Sequence, residues 1–510
     1  MAAEVLGADE EFDVVVIGAG ISGIGAAAYF SRELPGKSLV VLEGRDSIGG
    51  TWDLFRYPGI RSDSDLHTFG YEFKPWRHEA AIADAPLIRE YLRETVEEND
   101  LGRLIRLRHR VVRAEWSSVD SQWTLTVEAA DPATGSTTTK TIRTGWVFAA
   151  TGYYRYDKGF SPEFPGREDF AGKVVHPQHW PENLDYRGKK VVVIGSGATA
   201  VTLVPAMTAG IGAAAHVTML QRTPTYIMAL PRVDKVAMRL TKLLGEKRGY
   251  AATRFKNIWV EHAIVKGLRA FPKAGRALIR RENLKRLPKG FDVDKHFNPP
   301  YDPWDQRLCL APDGDFFDAI KAGRASVVTD SITRFSTRGV VLKSGEELEA
   351  DIIVTATGLN MRLFGGMPIV VDGREADLAD SVCYRGMLLS GIPNWAMAIG
   401  YTTSSWTLKV SLMCRYFIDL VRHMDARGYD RVVPVASAGM PRKPVMDLQA
   451  GYAKRAEKQL PKQGHAAPWR MAMSYPEDAK ALRGPVADEN LEFGAARLTV
   501  LPGERRSARV

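Results

Sequence analysis

Apolar residues in this chain cluster in short β-branched runs, each followed by a stretch of small residues at helical spacing. Phe12–Ile17 reads FDVVVI, the pattern of a strand buried on both faces of a parallel sheet. An Ala-rich helical stretch continues to Leu34, and a second strand is predicted over Ser38–Leu42. The same order recurs at Lys190–Ile194 (KVVVI), a helix to about Ala209 and a strand over His216–Leu220. Trp146–Ala149 leads into Ala150-Thr151-Gly152, and Ile352–Thr355 leads into Ala356-Thr357-Gly358. These two runs are predicted as strands returning to each unit, where the chain crosses between domains. Trp395–Ile399 is a further strand-like run. The last forty or so residues are poorer in periodic pattern, and a partly disordered tail is expected there.

The joints between these elements carry chemistry. The first strand runs into Gly18-Ala19-Gly20-Ile21-Ser22-Gly23, and the second ends at Glu43. In such a unit the first glycine permits the tight turn. The second lets the backbone approach a pyrophosphate, and the third lets the helix pack on the sheet. The helix N-terminus offers free N–H groups to phosphate, and Glu43 can accept from a ribose hydroxyl. The second unit has Gly195-Ser196-Gly197-Ala198-Thr199-Ala200, and its second strand ends in Gln221-Arg222-Thr223, with no acid. A carboxylate there would repel a 2′-phosphate, whereas Arg222 can pair with one. An acid in one site and an arginine in the other imply two nucleotides, FAD in the first and NADPH in the second. The fold expected is α/β with two Rossmann-like dinucleotide-binding domains. The FAD domain is discontinuous, 1–150 and 355–510; residues 151–184 link it to an NADPH domain at 185–345.

Composition narrows the function further. With 510 residues, 45% of them hydrophobic and 25% charged, the chain is ordinary globular material of two or three domains. The N-terminal MAAEVLGADEEFD is acidic and lacks the basic-then-apolar order of a signal peptide, so a cytoplasmic location is expected. The longest apolar-looking stretch, Val14–Phe30, holds four glycines and a serine and belongs to the first unit rather than to a membrane span. Three cysteines, Cys309, Cys383 and Cys414, form no close pair, which argues against a disulfide framework and a cysteine-ligated zinc site; no metal is expected. Flavin disulfide reductases share the two-nucleotide layout but need a redox-active cysteine pair. Here the electrons must leave another way, and molecular oxygen is the obvious acceptor. The net charge of +9 is local: between Pro231 and Gly290 there are 17 Lys and Arg against four acids, so the rest of the chain is slightly acidic. No zinc finger or aromatic-rich RNA motif accompanies this segment, and no nucleic-acid partner is expected.

Two further segments carry a resemblance. Gly50-Thr51-Trp52-Asp53-Leu54-Phe55-Arg56-Tyr57-Pro58-Gly59-Ile60-Arg61-Ser62-Asp63 fits GxWxxxxYPGxxxD, and Phe170 to Pro181 fits FxGxxxHxxxW(P/D). On these the chain resembles the type I Baeyer–Villiger flavoprotein monooxygenases, over essentially its whole length. Asp305-Gln306-Arg307-Leu308-Cys309 and Tyr401-Thr402-Thr403-Ser404-Ser405-Trp406 point to the ketone- and sulfide-oxidising subgroup that includes thioamide-activating enzymes. The resemblance implies conversion of ketones to esters or lactones with NADPH and O2 through a flavin C4a-peroxide, with sulfide oxidation as a side activity. Such a peroxide demands a dry site, with retained NADP⁺ helping to cover it, and a fixed positive charge beside the anion. Arg307 matches the family's arginine, and Asp63 matches the carboxylate that holds it; both are the candidate catalytic residues. On residue type alone the two could equally form a structural ion pair, and Asp65 competes with Asp63. Relatives that oxidise only nitrogen or sulfur carry Tyr or Phe at the place of Trp180.

The remaining candidate cofactor residues are Gly50, Thr51, Trp52 and Val112 beside FAD, with Asp63 at the same wall. Ser22 belongs with Gly18, Gly20, Gly23 and Glu43. On the NADPH side stand Gly195, Gly197, Thr199, Ala200, Arg222 and Thr223. Trp52 reads either as a core aromatic or as a neighbour of the flavin. By the resemblance, His176 lies in the linker and couples the domains rather than moving protons, and Tyr401–Thr403 abut the flavin or substrate. The resemblance also implies that residues 231–295 form a helical insertion in the NADPH domain covering the active-site side. Its basic face reads either as a solvated surface or as a peripheral contact with the inner membrane surface. N- or S-oxygenation without ketone chemistry, and a peroxide-producing NADPH oxidase, are the rival activities.

Overall fold

The computed structural model describes residues 10–306, 308–446 and 450–495. The first unit begins with β1 (Glu10–Ile17), α1 (Ile21–Glu33) and β2 (Leu39–Leu42). Short helices α2 (Thr51–Leu54) and α3 (Leu66–Phe69) and the longer α4 (Ala85–Glu98) follow. Then come β3 (Ile105–Arg106), β4 (His109–Ser117), β5 (Gln122–Ala130) and β6 (Thr137–Ala149). β1 is central: it pairs in parallel with β2, Val14 opposite Leu39, and with β6, Val14 opposite Trp146. The expected strand Trp146–Ala149 is thus the end of β6. β4, β5 and β6 form an antiparallel meander, and the strands at Ile369–Val371 and Trp395–Met397 return to pair in parallel with β4 and β6. Val14 and Val16 face one buried cluster while Val15 and Ile17 face another. Both faces are therefore covered, which is why the run is apolar throughout rather than alternating.

The second unit is a five-stranded, all-parallel sheet. Its elements are β7 (Lys173–Val175), β8 (Lys190–Ile194), α5 (Ala198–Met207) and β9 (His216–Gln221), then β10 (Ile227–Leu230). Helices α6 (Lys235–Leu244), α7 (Glu246–Ala270) and α8 (Pro272–Arg286) follow, making the segment 231–295 helical as expected. β11 (Cys309–Pro312) closes that insertion by pairing with β10, Ile227 opposite Cys309. Next come β12 (Ala325–Thr329), a small antiparallel sheet of β13 (Ile332–Ser336), β14 (Gly339–Leu342) and β15 (Glu347–Glu349), and β16 (Ile352–Thr355). The sheet order is β12-β9-β8-β16-β7. Val191 and Val193 pack on one side, Val192 and Ile194 on the other.

Two crossings join the units and run side by side. Arg155 N–H donates to Asn360 O at 2.8 Å, and Phe160 N–H to Gly358 O at 3.0 Å. The C-terminal stretch is more ordered than its weak periodicity suggests. Leu491–Gly494 pairs antiparallel with Arg431–Pro434, and Tyr475–Leu482 is a helix packed on Trp406–Arg427. Tertiary contacts, not local pattern, hold it in place. The rest of the expected tail, 496–510, lies outside the described residues. No helix among the described residues is long and apolar enough to cross a membrane.

Candidate functional site

The two glycine turns are built alike. Gly18 N–H donates to Leu42 O at 2.7 Å, and Gly195 N–H to Leu220 O at 2.8 Å. Gly18 has φ +103° and Gly195 φ +130°; a Cβ on either would stand 2.7 Å from Ala150 O or 2.3 Å from Ala356 O. No side chain fits either turn, because each returning strand passes directly over it. Gly20 and Gly197 begin α1 and α5 with nearly the same backbone, φ −77° and ψ −173° or −178°. Neither helix start receives a side-chain cap, so their first N–H groups remain available to an anion. Gly23 lies under the turn, where a Cβ would meet Gly18 O at 1.8 Å. Ala200 is buried at the matching place in α5.

A cleft of about 450 Å³ opens above the first turn. Gly18, Gly20, Ser22, Glu43, Gly50, Thr51, Trp52, Asp63 and Val112 all line it, together with Ala198 and Thr199 from the second unit. The buried Glu43 carboxylate accepts from Ala19 N–H at 2.8 Å and from Arg45 N–H at 2.9 Å, leaving lone pairs toward the cleft. Gly50, at φ +55°, brings its backbone so close to Gly20 that a Cβ would sit 3.0 Å from Gly20 Cα. Trp52 sets its ring edge-on against Phe69, centroids 5.6 Å apart, and forms part of the wall. Val112 is the extra residue of a β-bulge: Val111 faces Val127 and Arg113 faces Thr126. The bulge frees its backbone from the ladder at the cleft rim. Ser22 Oγ accepts from Trp406 Nε1 at 2.8 Å, fixing the glycine turn to the helix Trp406–Arg427.

The first fingerprint works as a bridge between the units. Gly50 to Trp52 lie on the cleft. Tyr57 is then buried with its hydroxyl bonded to Thr199 and Thr202 of α5, and burial raises its pKa. Gly59, at φ +79°, packs so tightly on α5 that a Cβ would come within 2.5 Å of Ala206 Cβ and of Thr202 O. Arg61 forms an ion pair with Asp315 of the second unit. The segment then returns Asp63, exposed, to the cleft. Asp65 is committed elsewhere: its carboxylate caps α3 through the N–H groups of His67 and Thr68, and accepts from Asn257 of α7. The two competing acids thus differ in their surroundings: Asp63 lines the cleft and Asp65 caps a helix. Arg307 lies outside the described residues; its neighbours Leu308 and Cys309 are buried.

The second fingerprint does not reach the cleft. Gly172 turns under Phe170 and against Asp351 O, β7 forms the edge of the parallel sheet, and Trp180 packs on the core of the second unit. His176 Nδ1 accepts from Gln178 N–H at 3.2 Å, and its Nε2 lies 3.3 Å from Gly358 O. Its ring lies over Gly159, where no Cβ would fit. The ring locks the two crossings together, and burial lowers its pKa. Of the second unit's candidates only Thr199 lines the cleft. Gly195, Gly197, Ala200, Arg222 and Thr223 stand apart from it; Gly197 is on an open edge, with no atom within 4 Å of a notional Cβ. Arg222 is exposed there, and Thr223 O accepts from Ser196 Oγ at 3.1 Å.

Other residues join the site with little warning from the sequence. Ser404 and Arg362 line the cleft, alongside Tyr401, which is expected beside the flavin or substrate. Ser404 Oγ donates to Glu261 of α7 at 3.0 Å. Burial, reinforced by the charge of Asp65, pushes the Glu261 carboxyl up to about 8; Asp63 adds in the same direction. At neutral pH this acid is mostly protonated. Within a basic helix it reads as one more surface charge, and only the fold turns it inward. Arg254, also on α7, is buried and donates to the carbonyls of His67, Thr68 and Gly70 at 2.9–3.0 Å, capping the C-terminal end of α3. The insertion is thus anchored on the first unit beside the cleft.

Comparison with known proteins agrees with this architecture. An NAD(P)-binding Rossmann-like domain model matches residues 16–79, and a flavin-binding monooxygenase-like model matches residues 77–256. The chain is similar to the FAD-containing monooxygenase EthA of Mycolicibacterium smegmatis, 50% identical over 96% of this chain and 99% of that protein. Among solved structures, a steroid monooxygenase bound to NADP superposes with a TM-score of 0.73 at 20% identity. It covers 95% of this chain and 100% of that one. Cyclohexanone monooxygenase follows with a TM-score of 0.72 and the same identity and coverage. These two show a shared fold. Cys309, Cys383 and Cys414 are all buried thiols. With half of its residues shared with EthA along nearly the whole of both chains, the protein belongs to the FAD-containing monooxygenases.

Proposed function

We propose that this enzyme inserts oxygen beside a ketone carbonyl, giving an ester or lactone, with NADPH and O2 as co-substrates and sulfide oxidation as a side activity. The observation that carries the reading is the path of one segment. Residues 50–63 leave the cofactor cleft, dock on α5 of the second unit and return a carboxylate, Asp63, to the cleft wall.

The residues present fit FAD in the first unit and NADPH in the second. The uncapped starts of α1 and α5 would hold the pyrophosphates. Glu43 would take a ribose hydroxyl, and Arg222 a 2′-phosphate. FAD, when bound, supplies the capacity to take hydride from NADPH and pass electrons to O2. Asp63 would hold the Arg307 guanidinium in a fixed position, where its permanent charge stabilises negative charge developing on the reacting oxygens. The aromatic wall of Trp52, Phe55, Tyr57 and Trp406 would keep water out. FAD would occupy a discontinuous domain, 1–150 with 355–510, and NADPH the domain 185–345, with His176 keeping the two crossings between them in register.

Replacing Arg307 by Ala tests this. The expected result is flavin reduction by NADPH at near the native rate, with ester formation lost by at least about a hundredfold. Asp63→Ala should lower ester formation less. Ester formation that survives in Arg307→Ala contradicts the reading, and sulfoxide as the sole product of the native enzyme favours N- or S-oxygenation instead.

A further inference from the structure

The helical insertion has two unlike sides. Its inner side is fixed to the first unit: Arg254 binds three carbonyls of the α3 turn, Tyr250 Oη donates to Tyr71 O at 2.9 Å, and Glu261 meets Ser404. Elsewhere the insertion leaves apolar side chains bare. Of the fifteen large hydrophobic side chains exposed among the described residues, eleven fall between Val236 and Leu284. Leu243 is 79% exposed, Phe255 67% and Phe271 70%. Soluble proteins scatter such residues singly, and a concentration of this kind marks an interaction surface.

The same segment holds the chain's positive charge. Residues 231–290 carry 17 Lys and Arg against Asp234, Glu246, Glu261 and Glu282. Three of these acids are neutralised locally, since Asp234 pairs with Lys256, Glu246 with Arg77 and Glu282 with Lys285. Helices α6 and α7 pack as a hairpin turned at Gly245, and α8 packs on α7. Lys235, Arg239 and Lys242 are interleaved with the exposed Val236, Met238 and Leu243 on α6.

We propose that this face docks on an anionic lipid bilayer. The occupant must accept aliphatic and aromatic side chains together with a dense positive field. Nucleic acid meets the charge but offers nothing to Leu243, Val260 or Ile264. A second copy of the chain would bring the same positive field against itself, which is repulsive. A bilayer bearing acidic headgroups satisfies both: apolar side chains enter the acyl boundary while the lysines and arginines stay at headgroup level. The docked helices include α7, whose Glu261 bonds to the cleft residue Ser404. On the proposed ketone chemistry, substrates dissolved in the membrane would therefore be collected at the site's own edge. The docking itself does not depend on that chemistry.

The test is flotation of the purified flavoprotein with vesicles. Vesicles of phosphatidylcholine with about 30% phosphatidylglycerol should carry the protein upward at low ionic strength, and raised salt should release it. The combined substitution Leu243→Ser, Phe255→Ser, Phe271→Ser should lower vesicle affinity at least about tenfold while flavin absorbance is retained. Ile211→Ser, at an exposed apolar residue outside the insertion, should float as the native protein does. The proposal is overturned if the native protein stays at the bottom at low salt, or if neutral vesicles carry it equally well. It is also overturned if the triple variant floats unchanged, or if the native protein forms oligomers that the triple variant dissolves and does not float.

Discussion

Glu261 gives the sharpest quantitative consequence. Its carboxyl titrates in the folded protein at about 8, against 4.5 for an exposed glutamate. Above pH 4.5 the unfolded chain gives up this proton, whereas the folded chain keeps it until pH approaches 8. The folded state therefore binds the extra proton over that window, and stability falls as pH rises through it. The whole displacement corresponds to about 5 kcal/mol at about 1.4 kcal/mol per tenfold change in proton affinity. Glu261→Gln keeps the size and the partner for Ser404 but has no charge to bury. It should raise stability by less than about 1 kcal/mol at pH 5 and by about 4–5 kcal/mol at pH 8.5, the latter equal to about 4–5 °C in thermal midpoint for a chain of this size. The assay is differential thermal unfolding of native and variant protein from pH 5 to pH 9 at one scan rate, with flavin release followed in parallel. A difference that is constant across pH, or that shrinks as pH rises, refutes the reasoning.

Other outcomes follow from single contacts. Gly59→Ala forces a Cβ into Ala206 and the Thr202 carbonyl at a positive φ, and should cost about 2–3 kcal/mol, read as a lowered thermal midpoint with weaker coupling of NADPH consumption to product. Arg222→Ala should raise the KM for NADPH about 10- to 100-fold and leave that for NADH nearly unchanged, measured by initial rates with each nucleotide. Arg254→Ala strands three buried carbonyls and should loosen α7, seen as faster amide hydrogen exchange in residues 246–270 with the β1 amides unaffected. Glu43→Ala removes the acceptor for the Ala19 and Arg45 N–H groups and should lower retained FAD in gel filtration.

The two nucleotide units were legible because their rules are local. A β-branched run buried on both faces, a glycine turn and a small-residue helix need no knowledge of distant residues. The return strands Trp146–Ala149 and Ile352–Thr355 were legible for the same reason. What escaped depends on contacts far apart in the chain. Nothing in residues 109–117 announces a bulge at Val112, since the register is set by β5. Glu261 looks like any acid on a basic helix until Ser404 and Asp65 are brought beside it. That Asp65 rather than Asp63 caps a short helix depends on where that helix starts, which residue type alone does not show. The open edge at Gly197 and Arg222 was not legible either, because their motif is the same as that of the enclosed first unit. The order of residues 475–494 comes from packing on Trp406–Arg427 and Arg431–Pro434.

The measurement that bears most directly on the central claim is turnover of the purified yellow protein with NADPH, ¹⁸O₂ and a panel of aliphatic, cyclic and aryl ketones, with products resolved by mass. The account predicts esters or lactones gaining one ¹⁸O atom for each NADPH consumed. NADPH loss with hydrogen peroxide and no labelled ester from any ketone would contradict it.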